Sequence, residues 1–207
     1  VWRMTPEGLD CLSCPVADGD PETREEKSET FGHTDFAAVE ISGIFDVEIT
    51  QAETYSIELT GSEEAKDRYT VKRENGLLTI DFDSDDKFFW RKNLAENEEV
   101  KIKISMPKLE RLEAKGAGKV NMSSFQVTNA RFELLGAIQM EGELIAEDVT
   151  IELSGASKLD LKGKSASMDA VIQGASSLKA KSFEVKNAQV EVNGASNADV
   201  NVTGTLE

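Results

Sequence analysis

The sequence predicts an all-β protein whose C-terminal half is a parallel β-helix, or β-solenoid. Two observations carry this prediction. Gly-Ala pairs recur at a nearly constant spacing along the chain, beginning at Gly116, Gly136, Gly155, Gly174 and Gly194. Around each pair, apolar and polar residues alternate with a spacing of two, which is the period of a β-strand and not of a helix.

Each repeat places apolar residues at fixed positions relative to its glycine. Around Gly136 these are Phe132, Leu134 and Met140, and turn-favouring residues such as Asn129 lie seven positions before the glycine. One repeat cannot bury its apolar face alone, whereas repeats stacked about 4.8 Å apart share one core. The five glycines are therefore predicted to be structural corners of a stacked ladder, where the chain turns tightly.

The N-terminal portion, residues 31–108, is predicted to be antiparallel or irregular. Alternating runs at 45–49 and 55–59 predict strands with one apolar face. Asn75-Gly76 separates two further strand-like runs, and this dipeptide favours a hairpin because a type I′ turn needs positive φ at both central positions. Residues 1–30 have no apolar period and are predicted to be a disordered tail. Residues 31–207 are predicted to form a single domain, with regular repeats over 109–207.

The tail contains both cysteines of the chain, Cys11 and Cys14. A zinc site needs about four ligands, and the one histidine, His33, lies well away in the sequence. A thioredoxin-like site needs a βαβ context that the pattern lacks. A local disulfide and two inert thiols both stay open.

The composition limits the partners. The formal net charge is -16, from 39 acidic and 23 basic residues, which argues against nucleic acid or an anionic membrane surface as the partner. Cationic partners and divalent cations are compatible with this charge, and so is a simple role in solubility. No apolar run of about 18 residues predicts a transmembrane helix. The chain begins at Val1, so a signal peptide is expected to have been removed.

Several motifs together resemble one known family. They are the repeat Gly155-Ala156-Ser157-Lys158-Leu159-Asp160-Leu161, residues 41–49, the hairpin at 75–80 and residues 100–107. Over residues 33–207 the chain resembles the GIN domain family, described as a putative auto-transporter adhesin head domain. The resemblance implies a right-handed parallel β-helix in secreted or surface-attached bacterial proteins that carry signal or lipoprotein peptides, and it brings no catalytic residues. Members usually run on through a final Gly-rich repeat, so a closing repeat beyond Glu207 is left open.

Acidic residues recur three positions before the glycines, as Glu113, Glu133 and Glu152. Stacking would align these carboxylates on the outside of the ladder, where like charges are destabilising unless lysine side chains or a cation lie between them. Ca²⁺ prefers such oxygen ligands, so a calcium column is one hypothesis. An ordinary solvated face is the second hypothesis and a cationic or sugar partner is the third, and no further cofactor is predicted.

The pattern favours a non-enzymatic protein. Inverting hydrolysis needs two facing carboxyl groups, and the glutamate column could supply one of them. A second column, five positions after each glycine, holds Asn121, Glu141, Asp160, Lys179 and Asp199. However, His33 cannot form a Ser-His-Asp arrangement at the edge of the tail. The sequence also has no phosphate loop, dinucleotide fingerprint or HExxH motif.

The aromatic run Phe88-Phe89-Trp90 is the candidate partner contact. It lies in a charged connection, where such side chains stack on sugars or fill a partner's pocket. The alternative is that these residues cap an open end of the solenoid, whose unpaired strand edge needs covering.

We therefore expect a non-catalytic extracytoplasmic binding or adhesion module of a bacterial cell envelope. It would reside in the periplasm, at the outer membrane or on the cell surface, and bind a glycan or protein ligand that the sequence does not identify. Two alternatives stay open. One is a structural or scaffolding component that self-associates as an oligomer through its solenoid ends, and the other is a carbohydrate-active enzyme.

Overall fold

The computed structural model describes residues 2–5, 8–11, 27–82 and 100–207, and it confirms an all-β protein. The helix in these residues is a single turn, α1 (Glu63–Lys66), capped by the Ser62 side chain, which accepts a hydrogen bond from the Ala65 N–H. The strands are β1 (Trp2–Thr5), β2 (Gly8–Cys11), β3 (Lys27–Phe31), β4 (Ala38–Gln51), β5 (Ser56–Gly61), β6 (Tyr69–Glu74), β7 (Leu77–Phe82), β8 (Val100–Met106), β9 (Arg111–Gln126), β10 (Asn129–Gly155), β11 (Lys158–Ile172), β12 (Ser177–Val192) and β13 (Asn197–Val202).

The repeats pair with one another in parallel. An open eleven-stranded sheet runs in the order β13, β12, β11, β10, β9, β4, β8, β5, β3, with β7 and β6 attached beside β4. Gly116 of β9 pairs with Gly136 of β10, so the glycines of successive Gly-Ala pairs lie side by side. Leu159 of β11 pairs with Met140 on one side and with Leu178 on the other, and these residues occupy the same position in their repeats. The period read from the sequence is therefore the pairing register of the sheet.

The core is continuous along this stack. Each repeat contributes inward side chains at the same register positions, so that Leu112, Phe132, Ile151 and Ala170 follow one another and are all fully buried. They belong to a single cluster that reaches from Phe36 to Ala188. Burying one such aliphatic or aromatic side chain contributes about 1.5–3 kcal/mol, and none of these strands could do this without a neighbour.

A sixth repeat lies outside the regular series. β4 pairs in parallel with β9, and Gly43 pairs with Gly116. The sequence distance between these two glycines is several times the length of one repeat, because the chain builds β5 to β8 before it returns to the stack. A search for a fixed repeat period therefore misses this first repeat.

The N-terminal end of the stack is covered by two short arms. β7 pairs with Ala38–Ile41 of β4, whereas β8 pairs with its later residues from Phe45 on. Both pairings are parallel, and antiparallel strands then extend each arm: β6 beyond β7, and β5 with β3 beyond β8. The hairpin predicted at Asn75-Gly76 is confirmed, with φ of 49° and 80° at these two residues.

Three strands, β1, β2 and β3, lie wholly or largely within residues 1–30. Within residues 1–30, where a disordered tail is predicted, β1 pairs with β2 and the strand β3 joins the main sheet through β5. β3 escapes sequence analysis because Lys27, Ser28, Glu29 and Thr30 are all exposed and show no apolar alternation. Charged residues on such an edge strand discourage pairing with another chain.

Candidate binding faces

The glycines of the repeats form one column across the sheet. Gly43, Gly116, Gly136, Gly155, Gly174 and Gly194 all have positive φ. At Gly136 φ is 128°, and a Cβ atom built there would lie 2.2 Å from the carbonyl oxygen of Gly116. Only glycine lets successive repeats approach this closely, so the column serves the stacking and is not available as a site.

The serine of the Gly-Ala-Ser motif also serves the stack. The Ser176 hydroxyl accepts a hydrogen bond from the Ser157 N–H at 3.2 Å, and the Ser196 hydroxyl accepts one from the Ser176 N–H at 3.2 Å. The Ser157 hydroxyl lies 3.1 Å from the Gly136 carbonyl oxygen, to which it donates. The hydroxyls of Ser157 and Ser176 are buried and that of Ser196 is half-buried, and all three bond backbone groups of the stack, so they are not free nucleophiles.

The predicted glutamate column exists, and it extends one residue further than the sequence indicates. Glu40, Glu113 and Glu133 pair in register on successive strands, and Glu152 follows. The side chains of Glu113 and Glu133 are only 12% and 14% exposed, although they lie on the outer surface of the sheet. Carboxylates this enclosed need partners.

Basic side chains fill the spaces between these carboxylates. Lys115 Nζ lies 2.7 Å from Glu40 Oε1 and 2.5 Å from Glu113 Oε1. Hydrogen bonds to both carboxylates raise the pKa of the Lys115 ammonium group. One lysine thus joins two repeats. A lysine side chain between the carboxylates, and not a bound cation, relieves the repulsion between Glu40 and Glu113.

Two arginines continue the same arrangement. Arg111 lies 2.7 Å from Glu113 and 3.3 Å from Glu133, and Arg131 lies 2.7 Å from both Glu133 and Glu152. Burial alone would raise the pKa of the Glu133 carboxyl, but the hydrogen bonds and charges of Arg131 and Arg111 outweigh it and lower that pKa. We call the four glutamates and three basic residues the ion-pair ladder.

Glu133 of the ion-pair ladder is poorly suited to act as the general acid of glycoside hydrolysis. A general acid at neutral pH needs a carboxyl whose pKa is raised. The pKa of Glu133 is instead lowered, so this group stays ionised. Arg111 and Arg131, two positions before their glutamates, were missed by sequence reasoning. Both arginines occupy the same position in their repeats, and this recurrence was the signal that could have identified them.

A calcium ion would have to compete with these cations. Among the residues that the structure describes, no group of three or more His, Cys, Asp or Glu side chains is arranged to hold a metal ion. Glu113, Glu133 and Glu152 are each already in contact with a guanidinium or ammonium group. Calcium binding at this column stays a prediction.

The second predicted column also lies in register. Asn121, Glu141, Asp160, Lys179 and Asp199 pair successively across β9 to β13. The sign of the charge changes from Asp160 to Lys179 and again to Asp199, so neighbouring charges in this part of the column attract one another.

Two other predicted features lie outside the described residues. Phe88, Phe89 and Trp90 fall in the range 83–99, and Cys14 falls in the range 12–26. Cys11 ends β2. Across the described ranges, no helix has the length and apolar character needed to cross a membrane.

The fold and its faces define a class of protein. Parallel β-repeats paired in register, with one continuous core, a column of glycines and ion-paired outer columns, present extended surfaces. The chain belongs to the family described as "Putative auto-transporter adhesin, head GIN domain", whose model matches residues 35–207. Membership indicates an adhesin-like, extracytoplasmic module.

Solved structures share the fold at low sequence identity. A putative adhesin from Bacteroides fragilis matches with a TM-score of 0.72 and 14% identity, over 89% of this chain and 97% of that chain. A putative lipid binding protein from Parabacteroides distasonis matches with a TM-score of 0.60 and 14% identity, over 87% and 93%. A putative adhesin from Parabacteroides merdae matches with a TM-score of 0.55 and 16% identity, over 88% and 95%. No curated protein matches the chain.

Proposed function

We propose that the chain is a non-catalytic adhesion module of a bacterial cell envelope, which binds a glycan or a protein at the cell surface. The observation that supports this most is membership of an adhesin family over residues 35–207. The outward faces of the stacked repeats would supply an extended contact area without a deep pocket. The periplasm, the outer membrane and the cell surface are the locations compatible with this role.

The same proposal includes the architecture. Parallel pairing of each repeat with the equivalent positions of the next, a column of positive-φ glycines and a single core all support a parallel β-helix. The right hand of this helix is what the family resemblance implies. In such a β-helix each repeat is one coil, and the corners turn the chain between its faces. A crystal structure in which the repeats do not form complete turns around the core would contradict this architecture.

A glycan array, run with calcium and again with a chelator, tests the function. We expect binding to a limited set of glycans, and replacement of Phe89 and Trp90 by alanine should abolish it if the aromatic run is the contact. Unchanged binding by that variant would remove the aromatic run from the site. Release of reducing ends from a panel of polysaccharides would contradict the non-catalytic assignment.

A scaffolding role is the second candidate. Among the strands that the structure describes, β13 pairs with β12 alone, and the last repeat leaves Val192 43% exposed, with Ala198, Val200 and Val202 half-buried. An unpaired strand edge with apolar neighbours is a template for association. Scaffolding predicts an apparent mass that rises with concentration in light scattering, and a constant monomer mass would count against it.

A further inference from the structure

Four lysines form a basic strip on an otherwise acidic molecule. Lys158 and Lys162 are exposed on β11, and Lys179 and Lys181 are exposed on β12, the adjacent strand. Each is flanked by a buried core residue, so all four point outward on the same side of the sheet. We call these four residues the lysine strip.

The positive charge of the strip is largely unneutralised. Residues 158–186 hold six lysines and three acidic residues, whereas the whole chain has a net charge of -16. In the described part of the chain, no carboxylate lies within 4 Å of the Lys158, Lys162 or Lys179 ammonium groups. Lys181 lies 3.7 Å from Asp199, and both side chains are well exposed, so this contact is weak. Asp160 lies within the strip and offsets one of the four charges.

Acidic residues border the strip on both sides. On β10, Glu141 pairs in register with Asp160, and Glu143 pairs with Lys162. On β13, Asp199 pairs with Lys179. The unneutralised positive surface is therefore only two strands wide, about 5 Å from backbone to backbone, and about 13 Å long between Lys158 and Lys162.

This shape selects among anionic ligands. A flat anionic surface would bring its charges against Glu141, Glu143 and Asp199 as well as against the lysines. A single extended chain that carries anionic groups at intervals can follow the strip and avoid those carboxylates. Lysine ammonium groups act as mobile point charges on long stems, which suits carboxylate or sulfate groups that are not held in one fixed geometry.

We propose that the lysine strip binds an anionic polysaccharide that bears carboxylate or sulfate groups along its length. This inference rests on the proposed adhesion function and narrows its ligand to one chemical class. The net charge of -16 predicts that the chain repels anionic partners, and the lysine strip is the place where we expect this repulsion not to apply. Charges further away than about 10 Å are largely screened at moderate salt, so contact depends on the four lysines and on the carboxylates within and beside the strip, and not on the net charge of the whole chain.

The test compares two variants with the same change in net charge. In the strip variant, Lys158, Lys162, Lys179 and Lys181 are replaced by glutamine. In the control variant, four exposed lysines elsewhere are replaced by glutamine: Lys72, Lys101, Lys103 and Lys108. Immobilised polygalacturonate and dextran sulfate are the probes, with neutral dextran as the blank. Far-UV circular dichroism establishes that both variants fold.

We expect the wild-type chain to bind both polyanions with an affinity that falls as salt rises. The strip variant should bind at least about tenfold more weakly, and the control variant should stay within about twofold of wild type. Equal weakening in both variants would overturn the proposal, since binding would then follow net charge. Binding to phosphatidylglycerol vesicles without binding to either polysaccharide would also overturn it.

A glycan array separates this inference from the proposed function. Binding to neutral glycans that is unchanged in the strip variant would refute the lysine strip and leave the adhesion role standing. A folded chain that binds no glycan and no host matrix protein would refute both.

Discussion

Replacing Gly136 by alanine adds one methyl group at a point where two repeats approach closely. The added Cβ would lie 2.2 Å from the Gly116 carbonyl oxygen and 3.1 Å from its carbon, whereas ordinary contacts begin near 3.4 Å. The two repeats must therefore separate by about 1 Å at the corner, which weakens hydrogen bonds worth about 1 kcal/mol each. The φ of 128° adds about 1–3 kcal/mol of backbone strain for a residue with a side chain. We expect a total loss of about 3–5 kcal/mol in the free energy of unfolding.

Two other glycines separate these contributions. Gly32 has no heavy atom within 4 Å of a built Cβ and no positive φ, so Gly32→Ala should change the free energy of unfolding by less than about 0.5 kcal/mol. Gly76 has a φ of 80°, and a built Cβ would make only an ordinary contact, 3.9 Å from the Asp35 carbonyl oxygen, so Gly76→Ala should show the backbone strain alone, about 1–2 kcal/mol. Urea denaturation followed by far-UV circular dichroism measures all three. A loss at Gly136 no larger than that at Gly76 would refute the close approach of the two repeats.

Three further predictions concern side chains of the stack. The folded pKa of Glu133 lies below its ordinary value of 4.5, so its contribution to stability is complete above that pH and is lost as the pH falls through the folded pKa. Arg131→Met should therefore lower the free energy of unfolding by about 1 kcal/mol at pH 7 and by less in acid, as measured by urea denaturation. Lys108→Met removes an exposed ion pair with Glu110 and should not change the free energy of unfolding measurably. Ser165 has a buried hydroxyl without a hydrogen-bond partner among the described residues, so Ser165→Ala should leave the thermal midpoint unchanged or raise it, and a fall of several degrees would contradict that assignment. If calcium binds the glutamate column, millimolar calcium should raise the thermal midpoint and a chelator should reverse the rise, and the absence of any shift would dismiss the column as a calcium site.

The stacking was predictable because one physical requirement repeats along the chain. Every repeat must place apolar side chains inward and a glycine at the corner, so the constraint is written in the sequence once per repeat. Gly43 obeys the same rule but was hidden, because β5 to β8 come between it and Gly116 in the chain. Parallel strands can be joined by connections of very different lengths, so spacing alone could not identify β4 as the first member of the stack.

The side-chain partners on the outer faces were harder to predict. The glutamate column follows from the repeat period. Its ion pairs depend on which basic side chains on the same and the adjacent strands lie close enough to contact the carboxylates. Arg131 bonds Glu133 within its own repeat and Glu152 in the next one. Such contacts become visible only when the lateral order of side chains on adjacent strands is known.

Recurrence along the stack distinguishes structural residues from candidate functional ones. Glutamate occupies its column in five of the six repeats, at Glu40, Glu113, Glu133, Glu152 and Glu191, with Val171 as the exception. A residue type that nearly every repeat keeps is explained by a need that the repeats share, and the ion pairs supply that explanation. The lysine strip is confined to β11 and β12, so the stacking of the other repeats does not account for it. Loss of binding without loss of stability in the strip variant, and the reverse in Arg131→Met, would separate the two kinds of residue directly.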